Sequence, residues 1–305
     1  MPKKFYRSSI RNGQKLPYSV NRAIMGTLTL YEMFDKFMSY KRSEGLTPLT
    51  IEDYIHFRYL DQFIGGDLKN EEVCTDVFMD YTGYLLHEKK LKPTTVNVRI
   101  RTLRAFLRHC YIEGWIEEPI HETFKPVKTG EIPIQTFTLD EVKRLLDTPD
   151  DIRFVGFRDK VIMMILLDTM VRVSELSKIR RQDVDLKGGE IVLQPHITKT
   201  KRNRSVPLSN NTIKILTEYL YETEEFQEET LFVTYDGQPL NTGTIRKQLH
   251  FYGEIAGIKD KRVSPHIFRH TGAVLYILNG GDPFSLQRIL GHTDMSMVRR
   301  YEQNR

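Results

Sequence analysis

Apolar residues recur at helical spacing through the first third of the chain. Leu28–Tyr40, Pro48–Phe63, Thr75–Glu88 and Pro93–Tyr111 each carry such a stripe, with Gly or Pro between them, and each predicts a helix. The last is the most amphipathic. Val96, Ile100, Leu103 and Leu107 line one side, while Arg101, Arg104 and Arg108, with Arg99 near them, stand elsewhere on the surface. One face is fitted to a helical bundle and the other to an anionic surface. Over Glu117–Gln135 the period disappears among three prolines and a glycine, which predicts a linker. Order restarts at Thr138, an N-cap with Glu141 three residues on to close a capping box. The pattern divides the chain into a basic segment (1–26), a helical domain (27–116), a linker (117–135) and a second domain (136–305).

Within the second domain Phe154–Asp168 and Val173–Ile179 predict buried helices. "VDLKGGEIVLQ" and "HITKTKRNRSVPLS" predict a small antiparallel sheet, with turns at Gly188–Gly189 and around Thr200–Asn203. Helices return at Asn211–Glu222 and Thr242–Ala256, then after Ser264–Pro265 and Asp282–Pro283, both N-caps with proline at the first helical position. The expected fold class is mainly α with a small antiparallel β-sheet in the C-terminal domain: an N-terminal helical bundle followed by an α+β domain.

Composition narrows this picture. At about 100–200 residues per domain, 305 residues suit two domains. An apolar fraction of 40% is enough to bury cores and excludes a disordered chain. Cys74 and Cys110 form no metal or disulfide pattern, which fits a reducing cytosol. The basic N-terminus is followed by no apolar signal region, and the longest aliphatic run, Val161–Leu167, is too short for a bilayer. The expectation is a soluble cytoplasmic protein with no membrane partner. Charge placement then adds a partner. Met1–Met25 holds Lys3, Lys4, Arg7, Arg11, Lys15 and Arg22 and no acid, leaving the rest of a +5 chain near neutral. A basic arm of this kind gains affinity for a polyanion by releasing counterions.

The residues that could do chemistry form an unusual set: Arg172, Lys199, His266, Arg269, His292 and Tyr301, drawn from separate segments of the second domain. No carboxylate pair accompanies them, so glycoside or peptide hydrolysis is a poor fit. Phosphoryl chemistry suits them better. Guanidinium forks bind non-bridging phosphate oxygens, a lysine can protonate a leaving oxygen, and a tyrosine can form a reversible covalent link. A phenol of ordinary pKa about 10 is roughly three units short of ionised at neutral pH, and nearby cations offset part of that deficit. His266 and His270 lack a third ligand at metal spacing, so no metal or other cofactor is expected.

Four ordered motifs, "RVSEL", "KTKRNRSVPL", "HIFRHTGA" and "LGHTDMSMVRRY", together resemble the tyrosine recombinase (phage integrase) family, in a two-domain Xer-like layout. The resemblance implies a C-shaped clamp on double-stranded DNA carrying a specific recombination site. It implies cleavage and rejoining of strands through a 3′-phosphotyrosyl link at Tyr301, in a homotetramer on DNA, without metal or ATP. Arg172 and Arg269 would hold the scissile phosphate, Lys199 would protonate the 5′ oxygen and His266 would assist. His292 would hold phosphate and phenol, while Glu175 would orient Arg172. Arg99, Arg101, Arg104, Arg108, Lys201, Arg202 and Arg204 would contact DNA, and accessory DNA-binding factors could take part.

Two departures stand out. Met170 replaces the glycine that the family usually has two residues before the first arginine, and only Glu302–Arg305 follow Tyr301 where family chains run on into a tail that docks on a neighbouring protomer. Type IB topoisomerase-like relaxation and a non-catalytic DNA-binding role on the same fold are the alternatives.

Overall fold

The computed structural model describes residues 27–130, 133–291 and 295–303. The expected basic arm and His292 lie outside the described residues. Two compact units divide at Glu131 and Ile132.

The first unit is helical: α1 (Leu30–Ser43), α2 (Pro48–Asp53), α3 (Phe57–Ile64), α4 (Thr75–Gly83), α5 (Pro93–Ile112) and the short α6 (Ile120–Thr123). Thr29 and Glu32 close a capping box on α1, satisfying amides that the first helical turn leaves without partners. The single helix expected over Pro48–Phe63 is broken by a 3-10 turn at Tyr54–His56, and that expected over Thr75–Glu88 ends in a π turn at Tyr84–Glu88. Val96, Ile100, Leu103 and Leu107 of α5 are all buried in the core of this unit. Part of the stretch expected as a linker also joins that core, because Ile120 and Phe124 are buried there. Their hydrophobic surface outweighs the prolines around them.

The second unit runs α7 (Leu139–Asp147), α8 (Phe154–Thr169), α9 (Val173–Leu176), β1 (Val184–Asp185), β2 (Glu190–Leu193), β3 (Arg204–Pro207), α10 (Asn210–Glu222), α11 (Thr242–Ile255), α12 (Pro265–Leu278), α13 (Pro283–Leu290) and α14 (Ser296–Gln303). The strands form an antiparallel sheet in the order β1-β2-β3, with Ile191 opposite Val184 on one side and Val206 on the other. Helix α8 is apolar almost all round and forms the centre of the unit, flanked by α10 and α12. Such a helix has no solvent face to lose, so it is stable only inside a core.

Two expectations shorten here. The helix expected over Val173–Ile179 is one turn, Val173–Leu176, and the second strand begins only at Arg204, so Lys199 lies on the loop between β2 and β3. The Thr198 hydroxyl holds that loop, accepting from the Arg202 amide at 3.2 Å and donating to the Arg202 carbonyl at 3.0 Å.

Candidate active site

Helix α8 ends at Met170 in the left-handed region (φ 51°, ψ 29°), the conformation that most often ends a helix with glycine. The chain turns sharply there, and Arg172 becomes the N-cap of α9. Glu175, only 1% exposed, reaches back to it: Oε2 accepts the Arg172 amide at 2.9 Å and Oε1 accepts Nη1 at 3.1 Å. Arg204, from β3, lays its fork on the same carboxylate, Nη1 on Oε1 at 3.1 Å and Nη2 on Oε2 at 2.6 Å. Burial alone would raise the Glu175 pKa. The Arg204 bonds and the Arg172 amide outweigh it and hold the carboxyl below its ordinary range.

Arg269 projects from α12 and is 4% exposed. Its Nη1 donates to the Met170 carbonyl and its Nη2 to the Leu290 carbonyl at 2.8 Å. Burial and then the neighbouring Arg172 push its pKa down to about 10, which still leaves it charged at neutral pH. Above these groups opens a cavity of about 1330 Å³ whose wall includes Arg172, Lys199, Arg202, Arg204, Arg288 and Met297. None of the described residues that line it is acidic, so they present concentrated positive charge to whatever enters. Lys201, in the left-handed region at φ 53°, is exposed on the same loop and lies outside that lining.

Tyr301 is not on the cavity wall. It is 1% exposed within the core of the second unit, one helical turn after Met297, and its hydroxyl lies 2.7 Å from His270 Nδ1. The phenol is the more acidic of the two groups, so it is the natural donor. Burial raises its pKa despite the lowering influence of Arg269, Arg300 and Arg172. His270 is pushed down to about 4 by burial first, then by His266, Arg269 and Arg300, and is a neutral acceptor at pH 7. His266 lies one turn earlier on α12, its ring 6.3 Å from that of His270, and burial followed by Arg269, Arg246 and Arg172 lowers its pKa too.

Residues 135–305 match the phage integrase family and residues 29–126 the phage integrase SAM-like domain. The chain belongs to the phage integrase family. Among its relatives in that family is tyrosine recombinase XerA of Thermococcus kodakarensis, 31% identical over 277 residues that cover 88% of this chain and 90% of the relative. Another is XerC of Thermodesulfovibrio yellowstonii, 30% identical over 216 residues, 68% of this chain and 70% of that one. In fold it resembles a lambda integrase dimer bound to a COC′ core site, with a TM-score of 0.76, 19% identity, and coverage of 91% of this chain and 96% of that one. A lambda integrase tetramer bound to a Holliday junction gives a TM-score of 0.75 at 18% identity, covering 97% and 84%.

For this integrase-family chain, the fold thus gathers Arg172, Lys199 and Arg202 on one cavity, with Arg269 and His266 close by and Tyr301 docked on His270. Arg204, expected among the DNA contacts, also lines the cavity, with its guanidinium held by Glu175 and the Ile289 carbonyl (Nε to Ile289 O, 2.9 Å). Sequence reasoning did not assign His270 or Arg288. His270 had one signal, its position four residues after His266 on a helix face; Arg288 had none beyond its charge. On the first unit, Arg101 and Arg108 are exposed, Arg104 donates Nε to the His121 carbonyl at 2.9 Å, and the Arg99 guanidinium sits 3.8 Å over the Tyr59 ring. Among the described residues no cluster could hold a metal ion, and no helix is long and apolar enough to cross a membrane.

Proposed function

We propose that this protein is a site-specific DNA recombinase in which Tyr301 attacks a backbone phosphate held in the Arg172–Lys199 cavity. The observation that carries the reading is the convergence of Arg172, Lys199 and Arg202 on one cavity whose described lining holds several cations and no acid, one helical turn from a tyrosine on α14. A phosphodiester entering that cavity meets the Arg172 fork, with Arg269 as fixed positive charge close by. Both favour the extra negative charge of a five-coordinate transition state.

The step is a displacement at phosphorus. The Tyr301 oxygen forms a bond to phosphorus as the bond to the 5′ oxygen breaks. The phenol proton passes to the neutral imidazole of His266, while Lys199 donates a proton to the departing 5′ oxygen. The phosphotyrosyl ester keeps the energy of the original diester, so the reverse attack by a 5′-hydroxyl reseals a strand without ATP or a metal ion. To reach the phosphate, the phenol leaves His270 and turns towards the wall where Met297, on the same helix, already lies. His292 belongs to this reading through its motif. Synapsis as a tetramer on cytoplasmic DNA, with Arg101 and Arg108 of α5 on the duplex, completes the proposal.

The test is a suicide DNA substrate, nicked so that the released 5′ fragment diffuses away. A denaturation-resistant protein–DNA adduct is expected, absent in Tyr301→Phe while DNA binding persists. An adduct that survives in that variant, or that maps to another residue, would refute the assignment.

A further inference from the structure

Arg204 is where three separate segments of the site meet. It begins β3, opposite Leu193 of β2, and directly follows the loop that carries Lys199 and Arg202. Its side chain is 9% exposed. Two of its nitrogens grip both oxygens of Glu175, the carboxylate that also holds Arg172. The third, Nε, donates to the Ile289 carbonyl at 2.9 Å in the last turn of α13.

That last contact has its own physical reason. The final carbonyls of a helix lack amide partners and carry partial negative charge, so cations settle there. The end of α13 is closed by two arginines on consecutive carbonyls, Arg204 on Ile289 and Arg269 on Leu290. The chain then passes Gly291 in the left-handed region (φ 63°), where a β-carbon would stand 3.1 Å from Arg204 Nη1. Glycine at this turn lets the guanidinium lie against the backbone that leads into His292.

We propose that Arg204 is a positioning residue for strand cleavage: clamped on Glu175 and α13, it holds the Lys199 loop in register with Arg172. This rests on the reading that Lys199 protonates the 5′ oxygen. A planar fork satisfying one carboxylate bidentately and a carbonyl at once is a geometry that lysine, a single-point donor, does not reproduce. Without the clamp the loop keeps its charge but loses its place, and a displacement of about 1 Å costs on the order of a hundredfold in rate.

The test compares single-turnover cleavage of the suicide substrate with oxygen and with sulfur at the bridging 5′ position. A thiolate leaves without being protonated, since a thiol ionises near pKa 8.5 and an alcohol far higher. Lys199→Ala is therefore expected to be slow on oxygen and restored on sulfur, whereas Arg172→Ala is slow on both. Arg204→Gln and Arg204→Lys are expected to lose about a hundredfold on oxygen and to recover to within about tenfold of the wild type on sulfur. DNA affinity and its salt dependence should be unchanged in both. The sulfur-to-oxygen ratio is measured within the folded, active fraction, so partial unfolding of a variant does not obscure it.

Equal losses on both substrates, wild-type rates on both, or a salt slope lowered by about one unit would each overturn the proposal; the last would make Arg204 a DNA contact instead. If Lys199→Ala itself is not restored by sulfur, the reading of Lys199 falls, and the role of Arg204 falls with it.

Discussion

Replacing Met170 with glycine sets two effects of opposite sign against each other. The residue holds a left-handed conformation, φ 51° and ψ 29°, which costs an ordinary L-residue roughly 1–2 kcal/mol and glycine almost nothing. On backbone grounds Met170→Gly should stabilise the fold. The side chain argues the other way. It is 2% exposed in the core of the second unit, packed where α12 crosses the end of α8. A β-carbon on Gly272 would come 2.9 Å from Met170 Cγ and would also strike the Leu167 carbonyl, so the two helices meet there with no slack. Deleting a buried methionine side chain costs about 2–5 kcal/mol, more where the site does not collapse. The side chain wins, and a net loss of about 1–3 kcal/mol is expected. Because the Met170 carbonyl also receives Arg269, cleavage should fall together with stability. The sole tryptophan, Trp115, belongs to the first unit, so its fluorescence is insensitive to this change. Hydrogen exchange of α8 and α12 amides during a urea titration reads it directly. A Met170→Gly protein as stable as the wild type, or more so, would show that backbone strain outweighs packing at this turn and refute the reasoning.

Other perturbations test separate parts of the site. Glu175 has a folded-state pKa below its ordinary value, so its contribution to stability is present above about pH 4.5 and is lost as pH falls through the folded value. Glu175→Gln should lower stability at neutral pH by about 1.5–3 kcal/mol and flatten the acid side of a stability–pH curve; an unchanged acid limb would contradict this. His270→Leu removes the acceptor of the buried phenol and should speed adduct formation about fivefold if release of Tyr301 precedes attack, while His270→Asn stays near wild type. Slower adduct formation in the leucine variant would mean that His270 assists attack instead. On α5, Arg101→Ala and Arg108→Ala should each reduce the slope of log affinity against log salt by about 0.9, and slopes equal to wild type would show that neither meets the duplex.

What the chain determined by itself is local. The capping boxes at Thr29–Glu32 and Thr138–Glu141, the proline starts of α12 and α13, and the apolar stripe of α5 follow from neighbours within one or two helical turns. The set of cationic, imidazole and phenol groups was equally legible, since it is a matter of residue type and order. Tertiary structure decided where each charge goes. Arg202 and Arg204 read alike in "KRNRSVPL" and both line the cavity, yet one is an exposed cation and the other is fixed on Glu175 and a helix end. Likewise Tyr301 faces His270, thirty-one residues away, and Ile120 and Phe124 enter a core from a stretch whose prolines suggested open chain. The physical reason is common to all of them. A guanidinium, a phenol or an apolar ring takes whichever partner the folded chain brings within contact, and partners distant in sequence leave no periodic trace in the sequence near them.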